Sequence, residues 1–252
     1  MRVFVCGKGG SGKTVVSILI SRILSEKGRV YIVDSDESNE MLHRLLGVQL
    51  PRPLAEYLGG KKNIFKIGEI NIVNALKAGS EGIRISKLPQ EYVSYSEEGI
   101  GLVIIGKVRR LGEGCACPFN FLTRIFLKNL MLEPNEYVVV DTDAGVEHVG
   151  RGVEEAADMI IFVADPTAES IQLARIMKNI ADENNIQFKL ILNKVMNNIY
   201  EAFEKLASKH GLRMDGVVSF DSEVFMSCLE GNKLRAKSAY NELKKLVNKW
   251  FS

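Results

Sequence analysis

Short apolar runs of strand length recur along the chain, and segments with the spacing of amphipathic helices separate them. The runs are mostly continuous rather than alternating, which is typical of parallel strands that helices cover on both faces of a sheet. The pattern therefore predicts an α/β fold: one doubly wound, mostly parallel sheet flanked by helices, in a single domain over residues 1–252. The predicted strands lie at residues 3–6, 30–33, 101–105, 137–140, 159–164 and 190–192.

Helical spacing is clearest in three of the segments between the strands. Apolar residues at positions 16, 19, 20, 23 and 24 form one stripe, and Gly28 is predicted to end that helix. The segments 168–184 and 197–211 have the same character. Residues 51–89 are less regular, with weak strand patterns at 64–70 and 82–86, and we interpret them as an insertion into the same domain.

The strongest chemical signal is a glycine-rich loop between the first predicted strand and the first predicted helix. Gly7-x-x-x-x-Gly12-Lys13-Thr14 has the spacing of a phosphate-binding P-loop, in the strand–loop–helix context that the motif requires. Glycines let backbone N–H groups point at phosphate oxygens, and the helix N-terminus adds partial positive charge. Lys13 is expected to reach the β- and γ-phosphates, and Thr14 to bind Mg²⁺. The predicted nucleotide contacts of the loop are Gly9, Gly10, Ser11, Gly12, Lys13, Thr14 and Val15.

Acidic or amide side chains follow three of the predicted strands. Asp34 and Asp36 come after the strand at 30–33, Asp141 after that at 137–140, and Asn193 after that at 190–192. Ligands bind at the carboxyl ends of strands in open α/β sheets, so these residues are candidates for the same site as the P-loop. Asp141 is expected to hold Mg²⁺ through water. Turn formation is the alternative for Asp34, Asp36 and Asn193, and helix capping for Asp141.

The stretch KGGSGKT, which begins at Lys8, resembles the deviant Walker A loop of the MinD/ParA-type P-loop ATPases. The resemblance implies ATP hydrolysis by a homodimer in which Lys8 reaches the partner's nucleotide. It assigns catalysis to Lys8, Lys13 and Asp36, with Asp36 activating water. It also implies that Asp34 assists around the metal and that Asn193 reads the base. DTDAG, which starts at Asp141, is similar to the family's second switch segment, in which Gly145 would allow movement.

Two of the four cysteines, Cys115 and Cys117, are one residue apart and stand immediately before Pro118. Proline is favourable as the first residue of a helix, so Cys117 would lie at the helix N-cap, where the helix dipole favours a thiolate. Two thiolates make half of a tetrahedral Zn²⁺ or Ni²⁺ site. A twofold dimer would supply the other half as Cys₄. An inert or redox-active pair is the alternative, and an Fe–S cluster would also suit four thiolates.

Together, the phosphate loop, DTDAGVEHVGRG and GEGCACP resemble the CooC family of nickel-insertion ATPases that mature carbon monoxide dehydrogenase. The resemblance implies a cytoplasmic metallochaperone. Its ligands would be ATP or ADP, Mg²⁺, and Ni²⁺ or Zn²⁺ between two subunits. Its client would be apo carbon monoxide dehydrogenase or a related nickel enzyme, and neither nucleic acid nor a membrane would be a partner.

Composition limits the alternatives without removing them. The net charge is +2 with only short basic clusters such as 107–110, no apolar run approaches about 18 residues, and few cysteines fit a reducing compartment. A membrane-positioning ATPase stays open, because the tail 239–252 has apolar residues near helical spacing among lysines. An Fe–S scaffold ATPase and a DNA-partitioning ATPase also stay open. Cys6 is expected in the core, and Cys228 in the core or at the surface of a helix.

Overall fold

The computed structural model describes residues 1–77, 82–108, 117–143, 156–196 and 199–251. Its strands within these ranges are β1 (Arg2–Gly7), β2 (Arg29–Asp34), β3 (Ser94–Tyr95), β4 (Gly101–Ile104), β5 (Glu136–Asp141), β6 (Met159–Ala164), β7 (Gln187–Val195) and β8 (Gly216–Ser219). They form one sheet in the order β3-β4-β2-β5-β1-β6-β7-β8. Neighbouring strands run parallel except β3 and β4, which are antiparallel.

This sheet confirms the predicted fold class and all six predicted strands. The central strands are buried along nearly their whole length, which is why their sequences are continuously apolar. The two edge strands, β3 and β8, were not predicted. They are two and four residues long and only partly buried, so they carry no apolar run that would mark them.

Helices cover both faces of the sheet. They are α1 (Lys13–Ser25), α2 (Leu42–Leu46), α3 (Leu54–Tyr57), α4 (Lys61–Leu76), α5 (Cys117–Lys128), α6 (Ala168–Glu183), α7 (Ile199–Lys209), α8 (Ser222–Glu230) and α9 (Ser238–Trp250). One hydrophobic cluster joins the sheet to α4, α5, α6 and α7, and a second joins its other face to α1, α2 and α9. This is the three-layer arrangement that the alternation of strands and helices predicts.

Two local predictions were wrong. Residues 64–70 belong to α4 and not to a strand, because Ile64, Ile72 and Leu76 are buried on one side of a helix that packs on α5. Gly68, at φ 74°, interrupts the helix and obscures its period in the sequence. α1 ends at Ser25, and Gly28 instead lets the chain pass against the Asn135 carbonyl, where a Cβ would overlap.

The weak strand predicted at 82–86 also does not form as a strand of the sheet. Ile83 makes isolated bridges to Lys77 and Leu130, and a 3₁₀ turn, Ile85–Lys87, follows. Ile83 is fully buried, so the apolar pattern reflects packing under α5 rather than a strand of the sheet.

The C-terminal helix α9 uses its apolar stripe inside the fold. Leu243 and Val247 are fully buried, and the helix packs on α1 and β8. The Phe251 ring lies 6.0 Å from that of Tyr137 in a T-shaped contact. The stripe that could have marked an interfacial helix is therefore occupied by contacts with the protein itself. In the described ranges, no helix combines the length and the apolar character needed to cross a lipid bilayer.

Candidate functional site

The glycine-rich loop joins the end of β1 to the start of α1 at the carboxyl edge of the sheet. Gly10 and Gly12 have φ values of 79° and 101°, which L side chains rarely adopt. At Gly12 a Cβ would also collide with the Asn193 amide. The loop is closed by a hydrogen bond from the Ser11 N–H to the Lys8 carbonyl of 3.1 Å. These conformations curl the backbone into the cradle that the spacing predicts.

The cradle leaves polar groups for a phosphate to satisfy. The Ser11 hydroxyl is buried without a hydrogen-bond partner, although buried hydroxyls are nearly always paired. The Lys13 side chain is 7% exposed, and its Nζ makes one long hydrogen bond of 3.3 Å to the Lys8 carbonyl. An anion with several oxygens fits both groups, as the P-loop motif requires.

Asp141 lies at the centre of a hydrogen-bonded cluster beside the cradle. Its Oδ2 accepts from Thr14 Oγ1 at 2.7 Å and its Oδ1 from Ser17 Oγ at 3.0 Å. Asn39 Nδ2 donates to both Thr14 Oγ1, at 3.0 Å, and Asp141 Oδ2, at 3.1 Å. Burial raises the pKa of Asp141 to about 6, while the Thr14 hydroxyl and the Lys13 charge act to lower it. This oxygen set is of the kind that Mg²⁺ prefers. Ser17 and Asn39 were missed by the sequence analysis.

Asp34 and Asp36 have different surroundings, although only two positions separate them. Asp34 is buried and forms an ion pair with Lys107, with Nζ 2.7 Å from Oδ2. Asp36 lines the cavity described below, and its Oδ1 accepts from the Ser38 N–H and hydroxyl at 2.9 and 2.6 Å. The Asp36 side chain therefore lines the cavity, whereas the Asp34 carboxylate contacts Lys107. Their roles in catalysis and around the metal stay predictions.

Lys8 contacts acidic residues of its own chain. Its Nζ lies 2.8 Å from Glu169 Oε2 and 3.9 Å from Asp165 Oδ2, and the hydrogen bond to Glu169 raises the pKa of Lys8. Its side chain is 29% exposed, so a partner could reach it. A role across a dimer interface stays a prediction, and it would require Lys8 to leave these contacts.

Asn193 and Lys194 support the loop from the end of β7. Asn193 Nδ2 donates to the Ser11 carbonyl at 2.8 Å, and Lys194 Nζ donates to the Gly10 carbonyl at 2.6 Å. Lys194 adopts a φ of 59°, which turns its side chain back over the loop. Asn193 therefore lies beside the glycine-rich loop. The contact recorded for its amide is with the loop, and base reading stays a prediction.

A cavity of about 650 Å³ extends from the cradle along the carboxyl edge of the sheet. Its polar lining includes Lys13, Thr14, Asp36 and Asn39. Its apolar lining includes Met41, Val218, Phe220, Val224, Phe225, Cys228 and Leu243. Polar groups for phosphates, apolar groups for a base and this volume are suitable for a nucleoside triphosphate.

The predicted cysteine site is only partly within the described residues. Cys115 lies outside them, as does Gly145 of the predicted second switch segment. Cys117 is half-buried and is the first residue of α5 rather than its N-cap, so Pro118 is the second residue of that helix. Within the described ranges, the group of acidic side chains close enough to share a cation is Asp36, Glu37 and Asp143, of which Asp36 also lines the cavity.

The chain as a whole is similar to known nucleotide-binding proteins. A model of the CobQ/CobB/MinD/ParA nucleotide-binding domain matches residues 3–234. An uncharacterized ATP-binding protein of Methanocaldococcus jannaschii is 39% identical over 249 residues, which cover 98% of each chain. The carbon monoxide dehydrogenase accessory protein CooC of Rhodospirillum rubrum is 30% identical over 193 residues, covering 74% of this chain and 71% of the relative.

Solved structures show the same fold. The septum site-determining protein MinD of Pyrococcus horikoshii, in complex with Mg-ADP, has a TM-score of 0.70. The match covers 99% of this chain and 95% of that chain at 16% identity. A ParA-family ATPase of Chlorobium tepidum matches with a TM-score of 0.66 at 19% identity, covering 98% of this chain and 97% of that chain.

Proposed function

Because this chain belongs to the CobQ/CobB/MinD/ParA nucleotide-binding family, we propose that it is an ATPase that dimerises around a metal ion and delivers that ion to a nickel enzyme. ATP hydrolysis is the first half of the proposal and metal delivery the second. The cluster formed by Thr14, Asp141 and Asn39 beside the glycine loop carries the first half. The sequence Cys115-x-Cys117 and the similarity to CooC support the second half.

The chain's own residues suggest how hydrolysis would proceed. Lys13 and the N–H groups of the loop bind the β- and γ-phosphates, and Thr14 and Asp141 hold Mg²⁺. The ion supplies positive charge that offsets the charge on the transferred phosphoryl group. Asp36, in the loop that follows β2, orients the attacking water. Catalysis of this kind depends mainly on positioning and charge, which the hydrogen-bonded cluster provides.

Metal delivery would follow from the state of the nucleotide. Cys115 and Cys117 of two subunits form one Cys₄ site that holds Ni²⁺ or Zn²⁺ as cargo. ATP and the metal then favour the same closed dimer, and loss of the γ-phosphate loosens it. The client is an apo enzyme that requires nickel, of the kind that carbon monoxide dehydrogenase represents.

Metal analysis of the dimer tests the second half. We expect protein stripped of metal and reloaded with Ni²⁺ or Zn²⁺ plus Mg-ATP to elute as a dimer with one ion per two chains. The Cys115→Ala/Cys117→Ala variant should lose that ion, and Cys228→Ser, which removes a thiol elsewhere, should keep it. One ion per dimer in the double variant, or a monomer at saturating metal and nucleotide, would contradict the proposal.

Phosphate release tests the first half independently. We expect Mg²⁺-dependent release of phosphate from ATP by the wild type, and none above background by Lys13→Ala. A brown colour in protein purified without oxygen would favour an Fe–S scaffold instead. Co-sedimentation with liposomes in the presence of ATP would favour a positioning ATPase, although the buried stripe of α9 argues against a membrane-bound tail.

A further inference from the structure

Lys107 is a buried lysine that the P-loop motif does not include. It follows β4, and its side chain is 1% exposed. Its Nζ donates to Asp34 Oδ2 at 2.7 Å, to the Asp36 carbonyl at 2.6 Å and to the Asn39 carbonyl. An ammonium group has three donors, so these contacts use all of them. All three acceptors belong to one segment, residues 34–39, which we call the switch I loop.

Neutralising Asp34 does not by itself explain this arrangement. Only one of the three acceptors is a carboxylate, and the other two are backbone carbonyls, of Asp36 and Asn39. The carboxylate of Asp34 and the carbonyls of Asp36 and Asn39 are spread along one short loop, and their contacts with a single ammonium group hold that loop in a bend. Lys107 therefore fixes the path of the backbone as well as the charge of its neighbour.

The bend determines where the functional side chains of the loop lie. Asn39 is the residue that hydrogen-bonds Thr14 and Asp141, and its Oδ1 accepts from the Met41 N–H at 3.0 Å. Asp36 provides one of the two carbonyls that Lys107 holds, and its side chain lines the cavity. A displacement of either carbonyl would move the proposed water-orienting carboxylate relative to the phosphate cradle.

The segment that contains Lys107 is also hydrogen-bonded to the switch I loop through its backbone. The Ile105 N–H donates to the Asp34 carbonyl at 3.0 Å, and the Val108 N–H donates to the Glu37 carbonyl at 3.2 Å. Residues 105–108 therefore run beside the switch I loop, and these backbone bonds place the Lys107 side chain against it.

We propose that Lys107 is a positioning residue that sets the switch I loop for ATP hydrolysis, and that it does so by holding the backbone of the loop and not only by neutralising Asp34. Both parts require only that the protein hydrolyses ATP, so a wild type without ATPase activity would count against the proposed function rather than against the role of Lys107.

Hydrolysis kinetics test the first part. Lys107→Met removes the donors and keeps most of the volume. At a temperature at which the variant is folded, we expect its kcat to fall about 30-fold, because small displacements of catalytic groups are costly. Its affinity for a fluorescent ADP analogue should stay within about threefold, because the phosphate cradle is unchanged. A kcat within about threefold of the wild-type value would overturn the proposal.

A double variant separates positioning from charge. Lys107→Met leaves Asp34 buried without its cation, whereas Asp34→Asn/Lys107→Met removes both charges. We expect the double variant to regain thermal stability while its kcat stays at least about tenfold below that of Asp34→Asn alone. Equal kcat values for the double variant and Asp34→Asn would mean that Lys107 only neutralises Asp34, and this part would be wrong.

Discussion

Asp34 and Asp141 have equivalent backbone positions, but the polar groups that contact their carboxylates are different. They are register partners on the adjacent parallel strands β2 and β5, and both are buried at the carboxyl edge of the sheet. Asp141 accepts hydrogen bonds from hydroxyl and amide groups, whereas Asp34 forms an ion pair with Lys107. One carboxylate keeps its charge available for a cation, and the other has its charge already matched by the protein.

Two carboxylates at one edge of the sheet thus differ in whether the protein itself supplies a positive charge beside them. Neutral donors orient the oxygens of Asp141 without supplying a positive charge, so a bound Mg²⁺ would add the missing one. At Asp34 the Lys107 ammonium group supplies the positive charge and uses its remaining donors on the switch I loop. We therefore expect Asp141 to matter mainly for the metal, and Asp34 mainly for the stability and shape of the loop.

The largest expected effect is the loss of hydrolysis on neutralising Asp141. Asp141→Asn should lower kcat/KM for Mg-ATP about 10³-fold, because the carboxylate that we expect to hold Mg²⁺ through water becomes neutral. Asp34→Asn is the matched variant at the register partner and should cost at least tenfold less. Steady-state phosphate release at several Mg²⁺ concentrations measures both. Equal losses in the two variants would remove the distinction between the carboxylates.

The second effect is on stability at the other carboxylate. Lys107→Met should lower the free energy of unfolding by about 3 kcal/mol, because a buried charge loses its partner. Burial raises the pKa of Asp34 and Lys107 acts to lower it, so removing Lys107 raises this pKa further. A raised pKa favours the protonated, folded form, and the deficit should therefore shrink as the pH falls from 9 to 5.

Urea unfolding of Lys107→Met and wild type across that pH range measures this deficit. Lys233→Met is the control, because Lys233 makes exposed ion pairs with Glu97 and Glu98, which contribute little. A deficit that grows as the pH falls would contradict the assignment of a raised pKa to Asp34.

The third effect is the dependence of metal binding on pH. Burial raises the pKa of Asp141 to about 6, so protons compete with Mg²⁺ at this carboxyl below that pH. The apparent affinity for Mg²⁺ in the presence of ADP should be nearly constant between pH 7 and 8 and should weaken by up to about tenfold per pH unit below about 6. Isothermal titration calorimetry measures it. A constant affinity down to pH 5 would contradict the role of Asp141 as a ligand.

The smallest effect concerns a single donor to Asp141. Ser17→Ala removes the hydroxyl that donates to Asp141 Oδ1 and should lower the free energy of unfolding by about 1 kcal/mol. Ser25→Ala, on the same helix, removes a hydroxyl that donates to the Arg22 carbonyl and should cost less. Thermal unfolding of the two variants compares them. A larger loss for Ser25→Ala would show that the Asp141 cluster adds little to stability.

Much of this molecule could be predicted from local sequence. The buried parallel strands need continuous apolar runs, and the spacing from Gly7 to Thr14 specifies a phosphate cradle because only glycines tolerate its backbone conformations. Asp36, Asp141 and Asn193 were recognisable as candidates because they lie at or near the carboxyl ends of such strands. Prediction failed where the local pattern was interrupted or too short, as at Gly68 in α4 and in the edge strand β8.

The tertiary structure decided which polar residues work together. Lys107 belongs to a short basic cluster to which the sequence analysis assigns no role. Asn39 and Ser17 belong to no motif. A signal for Lys107 did exist, since it follows an apolar strand as Asp34 does, but its meaning depends on β2 lying next to β4. Sequence determines the strands and the loop because these depend on neighbours along the chain. Only the packing of distant strands determines the partner of each buried charge, because a charge is stabilised by whatever lies within a few ångströms in space.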